Sequence, residues 1–114
     1  SQAVMAEGRQ IFISGQIGWD ETGTFQTDDF AEQAGQALRN IMSILAATDA
    51  GAEHITRMTW FITDKKEYLA SLKALGQKYR EEVGRHFPAM SVVEVKSLME
   101  DRAKVEIEAT AVIP

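Results

Sequence analysis

Residues 104–113, KVEIEATAVI, alternate between polar and apolar side chains from Lys104 to Ala111, and Ile113 continues the apolar positions. Successive side chains of a β-strand point to opposite faces, so this pattern predicts a strand with one apolar face and one face carrying Glu106 and Glu108. Such a strand belongs in a sheet that is covered on one side. Two interpretations of the carboxylate face stay open, a solvated surface and a cleft between subunits.

The composition narrows the class of protein. The 114 residues suffice for one domain, residues 1–114, and the net charge is −5. Lys and Arg form no basic stripe, which disfavours nucleic-acid binding. The absence of cysteine excludes disulfides, thiolate catalysis and cysteine-based zinc sites. No apolar run reaches the length of a membrane span and no signal peptide is recognisable, so we expect a cytoplasmic protein without membrane contact.

Hydrophobic periodicity and turn residues predict the other elements. In chain order the sequence predicts a short strand over 2–6 with a hairpin turn at Glu7-Gly8, a strand over 10–14, a helix that begins at 27–29 and is stopped by Gly51, a strand over 54–63, a helix from Asp64 to Gly84, and strands over 90–95 and 104–113.

Each predicted helix has one apolar stripe, so both helices are expected on one face of one sheet, in a two-layer α+β domain of order β-β-α-β-α-β-β. The other sheet face is then left uncovered. Trp60, Ile62, Val93 and Val95 are predicted to lie on it. An uncovered apolar sheet face predicts association with further copies of the chain.

Four stretches carry a resemblance to a known family: SQAV at 1–4, ISGQI at 13–17, FPA at 87–89, and VEIEA at 105–109 followed by AV at 111–112. In order and spacing the chain resembles the RidA/YjgF family of reactive-intermediate deaminases. The resemblance implies a chorismate-mutase-like fold. It also implies a homotrimer with a central β-barrel and small-molecule clefts between subunits, without metal or other cofactor.

The resemblance further implies that the clefts hydrolyse imines or enamines to a keto acid and ammonia. Glu106 corresponds to the family's glutamate, which sits by a water and moves the proton. The substrate-binding residues expected on the same basis are Ser14, Gly15, Tyr68, Phe87, Met90, Ser91 and Val92.

Met90 stands where the family has an arginine that forks onto the substrate carboxylate. Because a thioether cannot replace that contact, the sequence predicts a substrate without the usual α-carboxylate. Met90 with Val92 and Trp60 predicts an apolar cleft for a neutral or aromatic ligand. The alternative is an arginine reaching in from a neighbouring subunit, for which the candidates are Arg57, Arg85 and Arg102.

Three functions therefore stay open: imine or enamine hydrolysis, metabolite binding without turnover, and a chaperone-like role. The acidic balance and the lack of a paired-histidine site disfavour a ribonuclease. Ser14 has no partner base at a recognisable spacing and is not predicted to be a nucleophile. His54 and His86 lack metal-ligand spacing and are predicted to be loop or strand-edge residues.

Overall fold

One mixed sheet and three helices make up the regular structure of the computed structural model, which describes residues 1–114. The helices lie on one face of the sheet, which confirms the α+β class. None of them has the combined length and apolar character of a bilayer-spanning segment. The elements are β1 (Arg9–Ile17), α1 (Phe30–Ala47), a short 3-10 helix (Ala52–His54), β2 (Ile55–Ile62), α2 (Lys65–Ala70), α3 (Leu72–Glu82), β3 (Ala89–Glu94) and β4 (Val105–Ile113).

The strands are arranged in the order β1-β4-β2-β3, so the last strand in sequence is central in space. β4 runs antiparallel to both β1 and β2, whereas β2 and β3 are parallel. Val105, Ile107 and Ala111 of β4 are fully buried beneath the helices, and Glu106 and Glu108 point to the uncovered side. The alternation predicted for residues 104–113 is therefore confirmed.

Helix α1 provides the centre of the core. Asp29 is its N-cap and accepts a hydrogen bond from the Glu32 amide, and the preceding Thr27 accepts one from the Asp29 amide. The apolar stripe that includes Leu38, Ile41 and Leu45 is fully buried against the sheet. The helix ends at Ala47 with Thr48 as C-cap, so the prediction that Gly51 stops it was wrong; Gly51 instead precedes the 3-10 helix.

The predicted strand over 2–6 does not form. Gly8 has φ +147° and packs so tightly against β4 that an added Cβ would lie 2.1 Å from the Ile113 carbonyl oxygen. The chain before it leads toward β3, and the hydroxyl of Ser1 donates to the Phe87 carbonyl at 2.8 Å. The element order is therefore β-α-β-α-α-β-β rather than β-β-α-β-α-β-β.

The predicted second helix is divided at Ser71. Its hydroxyl donates to the Glu67 carbonyl and its amide to the Tyr68 carbonyl, and this local bonding ends α2 before α3 begins. The predicted start at Asp64 is confirmed, because the Asp64 carboxylate accepts from the amides of Lys66 and Glu67.

The assignment of Trp60 and Ile62 to the uncovered face was wrong. They are 3% and 2% exposed and belong to the core beneath the helices. Their neighbour Phe61 points to the other side, together with Val93, its partner in β3. Alternation in β2 separates the two faces of the strand, but it does not show which face the helices cover. The uncovered face, called the open face below, still exposes apolar groups, since Phe12 is 76% exposed and Val93 is 43% exposed.

Candidate functional site

Glu106 lies beside a β-bulge in β1. The register between β1 and β4 shifts between Ile13 and Gln16, which leaves Ser14 and Gly15 as the bulged residues. An added Cβ on Gly15 would lie 2.3 Å from Oε2 of Glu106. A glycine is therefore required for the carboxylate to lie against the bulge. No group of the chain donates a hydrogen bond to this half-buried carboxylate.

A cavity of about 450 Å³ opens on the same face, beside Glu106. Strands β1, β4 and β2 supply its walls, and it contains one cationic and one anionic side chain, Arg57 and Glu108. The lining residues are Phe12, Ile13, Ser14, Arg57, Thr59, Glu108, Ala109 and Thr110. Ser14, for which a ligand contact stays a prediction, lines this cavity, and Arg57 and Thr59 are additions that the sequence did not single out as lining it.

A second, apolar cavity of about 220 Å³ lies on the opposite side of the sheet, beneath α2 and α3. Met90 and Val92 of β3 line it together with the buried Trp60 and with Tyr68. The remaining lining residues come from the beginning and middle of α3 and are Leu72, Leu75, Gly76 and Tyr79.

Tyr79 fixes the loop that leads into β3. Its hydroxyl donates to the His86 carbonyl, its ring stacks on Phe87 at 5.6 Å between centroids, and burial raises its pKa to about 12. The His86 ring donates from Nε2 to the Ile55 carbonyl at 2.7 Å, which ties the loop to β2. Phe87, predicted to bind substrate, therefore packs on Tyr79 while remaining 52% exposed.

The two histidines serve the backbone. His86 has the role just described, and Nδ1 of His54 accepts from the Gly51 amide at 2.9 Å. Of the arginines considered for a substrate carboxylate, Arg102 is held by Asp28 at 2.9 Å and by the Phe25 carbonyl at 3.2 Å. Arg57 makes no ion pair and lines the open-face cavity as well as a smaller one of about 260 Å³ that includes Met90 and Ser91.

The sheet order separates the predicted site residues into two groups. Ser14, Gly15 and Glu106 lie on β1 and β4, whereas Met90 and Val92 lie on β3 at the opposite edge. Two strand spacings of about 4.8 Å separate β4 from β3, and β1 is one spacing farther away. Within one chain the two groups therefore do not form a common site. Hydrophobic alternation in the sequence predicts which side chains share a face of a strand, but it does not predict the order of the strands in the sheet.

Comparison with known proteins identifies the family. The Endoribonuclease L-PSP family model matches residues 1–113. Human 2-iminobutanoate/2-iminopropanoate deaminase is 33% identical over 113 residues, which are 98% of this chain and 78% of the human protein.

Solved structures agree with this match. TdcF from E. coli, determined with bound serine, has a TM-score of 0.80 at 33% identity and aligns over 99% of this chain and 87% of its own. RidA from an Antarctic Psychrobacter has a TM-score of 0.78 at 30% identity, over 98% and 86%. The fold is thus the chorismate-mutase-like fold of these proteins, and the chain belongs to the RidA/YjgF/L-PSP family.

Proposed function

We propose that the chain forms a homotrimer in which β1 and β4 of one subunit face β3 of the next across a small-molecule cleft. The sheet order supports this arrangement, because strand β2 separates β1 and β4, which carry Ser14, Gly15 and Glu106, from β3, which carries Met90 and Val92. A second copy of the chain could bring the two groups together. Phe12 and Val93 on the open face supply apolar area for burial in a central barrel.

We further propose that the cleft hydrolyses an imine or enamine, as the names of the deaminase relatives indicate for those proteins. The observation that carries this proposal is the free carboxylate of Glu106 beside Gly15. Glu106 accepts a proton from water as the oxygen adds to the C=N carbon. It passes this proton to the nitrogen, which gives a carbinolamine. It then accepts the proton of the carbinolamine hydroxyl and donates it to the same nitrogen, the C–N bond breaks as the C=O bond forms, and a carbonyl compound and ammonia leave.

The surroundings of Met90 support a substrate without a carboxylate on the C=N carbon. In the proposed cleft Met90 replaces the arginine expected from the family, and it extends the apolar lining of Trp60, Tyr68 and Val92. Absence of the guanidinium that would pair with a substrate carboxylate costs roughly 2–5 kcal/mol of binding free energy, and a thioether cannot replace that contact. We therefore expect substrates whose imine carbon carries apolar or aromatic groups.

The test is ammonia release from freshly generated neutral imines, such as that of phenylacetaldehyde, by the parent and by Glu106→Gln. We expect Glu106→Gln to lower kcat by at least about 100-fold, within the range of general acid–base catalysis, while sedimentation shows an unchanged trimer. Glu21→Gln, in an exposed turn, is the matched control. Equal turnover by parent and Glu106→Gln would rule out the assigned role.

A metabolite-binding protein without turnover is the second candidate, as is a chaperone-like trimer that uses exposed apolar surface. The bound serine in TdcF favours the binding function among these alternatives. A binding function without turnover predicts saturable ligand binding in the cleft and no ammonia release from any imine. It also predicts the same ligand affinity in the parent and in Glu106→Gln. A chaperone-like role predicts suppression of client aggregation that is independent of Glu106.

A further inference from the structure

The indole nitrogen of Trp60 is a buried hydrogen-bond donor without a partner. Trp60 is 3% exposed, and its Nε1 is the one buried side-chain nitrogen or oxygen of the chain that makes no hydrogen bond. Indole N–H groups usually find an acceptor when they are buried, because an unpaired donor destabilises the fold. The helices and strands of its own subunit bury this residue, so its burial does not depend on a neighbouring copy. The N–H is therefore available to a molecule bound beside it.

Trp60 lines the apolar cavity of about 220 Å³ beneath α2 and α3. Seven of the eight lining residues are hydrophobic, and the hydroxyl of one of them, Tyr79, already donates to the His86 carbonyl. A buried water needs about two to four polar partners, and apolar cavities stay dry. Water therefore does not satisfy the Trp60 N–H, and the acceptor that remains is an atom of a bound molecule.

Gly76 leaves one wall of this cavity without a side chain. It lies inside α3, where a glycine is less favourable than an alanine. A Cβ added there would meet only Nη1 of Arg80, at 3.4 Å, so packing within the subunit does not require a glycine. Its presence lowers the stability of the helix and keeps space in the cavity. Because an apolar cavity of about 150 Å³ is enough to bind benzene, this one has room for an aromatic ring with a small substituent.

We propose that the apolar cavity binds an aryl group of the substrate that carries a carbonyl or ether oxygen, and that this oxygen accepts a hydrogen bond from Nε1 of Trp60. The aryl group belongs to the substrate of the proposed cleft, so this assignment rests on the proposed function. Met90 and Val92 place the cavity beside the edge strand β3, from which the rest of the substrate extends to the C=N group.

The lining of the cavity excludes other substituents on the ring. A hydrocarbon group fills the space but leaves the Trp60 N–H unpaired. A charged group loses its hydration and meets no counterion, because no lining residue carries a charge. The cleft therefore selects neutral aryl imines that have a hydrogen-bond acceptor on the ring.

NMR spectra of the indole N–H groups of the intact protein test the proposal. The probes are acetophenone and α-methylstyrene, which have nearly the same planar shape and differ in a carbonyl oxygen against a methylene group. We expect acetophenone to move the Trp60 proton signal downfield in a saturable manner, and α-methylstyrene to bind without this shift. The chain has two tryptophans, and Trp60→Phe identifies the Trp60 signal. Trp19, which lies outside the cavity, is the internal control whose signal should not move.

Titrations compare the affinities for the two probes. In the parent, acetophenone should bind at least about fivefold more tightly than α-methylstyrene, the ratio expected from one net hydrogen bond. Trp60→Phe keeps an aromatic ring without the N–H and should remove this preference. If Trp60→Phe folds poorly, Trp19→Phe assigns the signals and the shift in the parent decides. Gly76→Ala favours the helix but narrows the cavity, so both probes should bind about fivefold more weakly. Gly35→Ala, in α1 outside the cavity, should bind as the parent does.

Three outcomes would overturn the proposal. One is no saturable binding of acetophenone by the parent, or equal affinity for the two probes. Another is a preference that is lost in Tyr68→Phe but kept in Trp60→Phe, which would assign the hydrogen bond to the Tyr68 hydroxyl. The third is a Trp60 signal that is already downfield without a probe and that neither probe moves, which would mean that a neighbouring subunit supplies the acceptor. Ammonia release is measured separately, so a parent that binds acetophenone but hydrolyses no imine contradicts only the proposed function.

Discussion

The carboxylate of Glu106 occupies the space in which Gly15 would carry a side chain, with Oε2 2.3 Å from the position of an added Cβ. The contact joins the bulge of β1 to the central strand β4. The placement of the proposed catalytic group thus depends on the residue type at a neighbouring position, and substitution at either residue tests it.

Gly15→Ala should impair turnover more than stability. The new methyl group displaces the end of a flexible side chain, so we expect the free energy of unfolding to fall by less than about 1 kcal/mol. The displaced Glu106 carboxylate no longer positions the water for attack on the C=N carbon, so kcat should fall by about 10- to 100-fold. Steady-state ammonia release and urea unfolding check both values. Gly35→Ala, whose Cβ would meet Lys78 at 3.2 Å, is the control. Unchanged kcat in Gly15→Ala would contradict the prediction.

Met90→Arg should change the substrate preference of the cleft. The guanidinium restores a fork for a substrate carboxylate, so we expect ammonia release from 2-iminopropanoate to rise at least tenfold over the parent. The same charge beside Trp60 and Val92 should weaken binding of neutral aromatic imines. Met90→Leu keeps the apolar lining and serves as the control. If the parent already hydrolyses 2-iminopropanoate rapidly, another residue holds the carboxylate and the substrate class proposed above is wrong.

Gln33→Leu should be strongly destabilising. The fully buried Gln33 amide donates to the carbonyls of Thr27 and Arg102 at 3.1 and 3.0 Å, and its oxygen accepts from the Lys104 amide at 2.9 Å. Leucine leaves these three backbone groups without partners, and we expect a loss of about 3 kcal/mol in urea unfolding.

The control for this change is Gln36→Leu, one helical turn away, which removes a hydrogen bond to Asn40 near the surface and should cost less than about 1 kcal/mol. Similar losses of unfolding free energy in Gln33→Leu and Gln36→Leu would contradict the prediction that the buried hydrogen bonds of Gln33 determine its contribution to stability.

Tyr79 should make the fold sensitive to high pH. Burial raises its pKa to about 12, above the unfolded value near 10, because the folded state favours the neutral phenol. The stability that the neutral Tyr79 phenol gives the folded state is fully present below pH 10. It is lost as the pH rises toward 12, because the tyrosine releases its proton at a lower pH in the unfolded chain than in the folded one.

At pH 7 we expect the free energy of unfolding of Tyr79→Phe to be about 1 kcal/mol below that of the parent, because the variant lacks the hydrogen bond to the His86 carbonyl. Between pH 10 and 12 we expect the stability of the variant to fall less with pH than the stability of the parent. Chemical unfolding over that range measures the difference. Parallel decline of the two proteins would contradict the assignment.

The sequence predicted most of the fold because its signals were local. The alternation in β4 and the stripe of α1 correctly identified their buried residues. The prediction of a strand over 2–6 was wrong because it interpreted Gly8 as part of a hairpin turn. The glycine is instead needed for the close approach of the backbone to Ile113, a contact between residues far apart in sequence. Trp60 was placed on the wrong face because alternation in β2 separates Met58, Trp60 and Ile62 from Arg57, Thr59 and Phe61 but does not say which of the two faces the helices cover.

The candidate site was predictable only in part. Ser14, Gly15 and Glu106 were chosen from a resemblance, and the structure brings them together at one bulge. Arg57 was considered only as one of three arginines that might reach a substrate carboxylate. Its position diagonally across from Glu108 follows from the register of β2 on β4, which no local pattern encodes.

The position of β4 between β1 and β2 also affects how the protein is made. During synthesis β1, β2 and β3 leave the ribosome before the strand that joins β1 to the other two. Until β4 emerges, β1 has no hydrogen-bonding partner and α1 lacks the part of the sheet that β4 supplies. The nascent chain must therefore expose aggregation-prone edges until β4 emerges, and completion of the sheet depends on contacts between residues far apart in sequence.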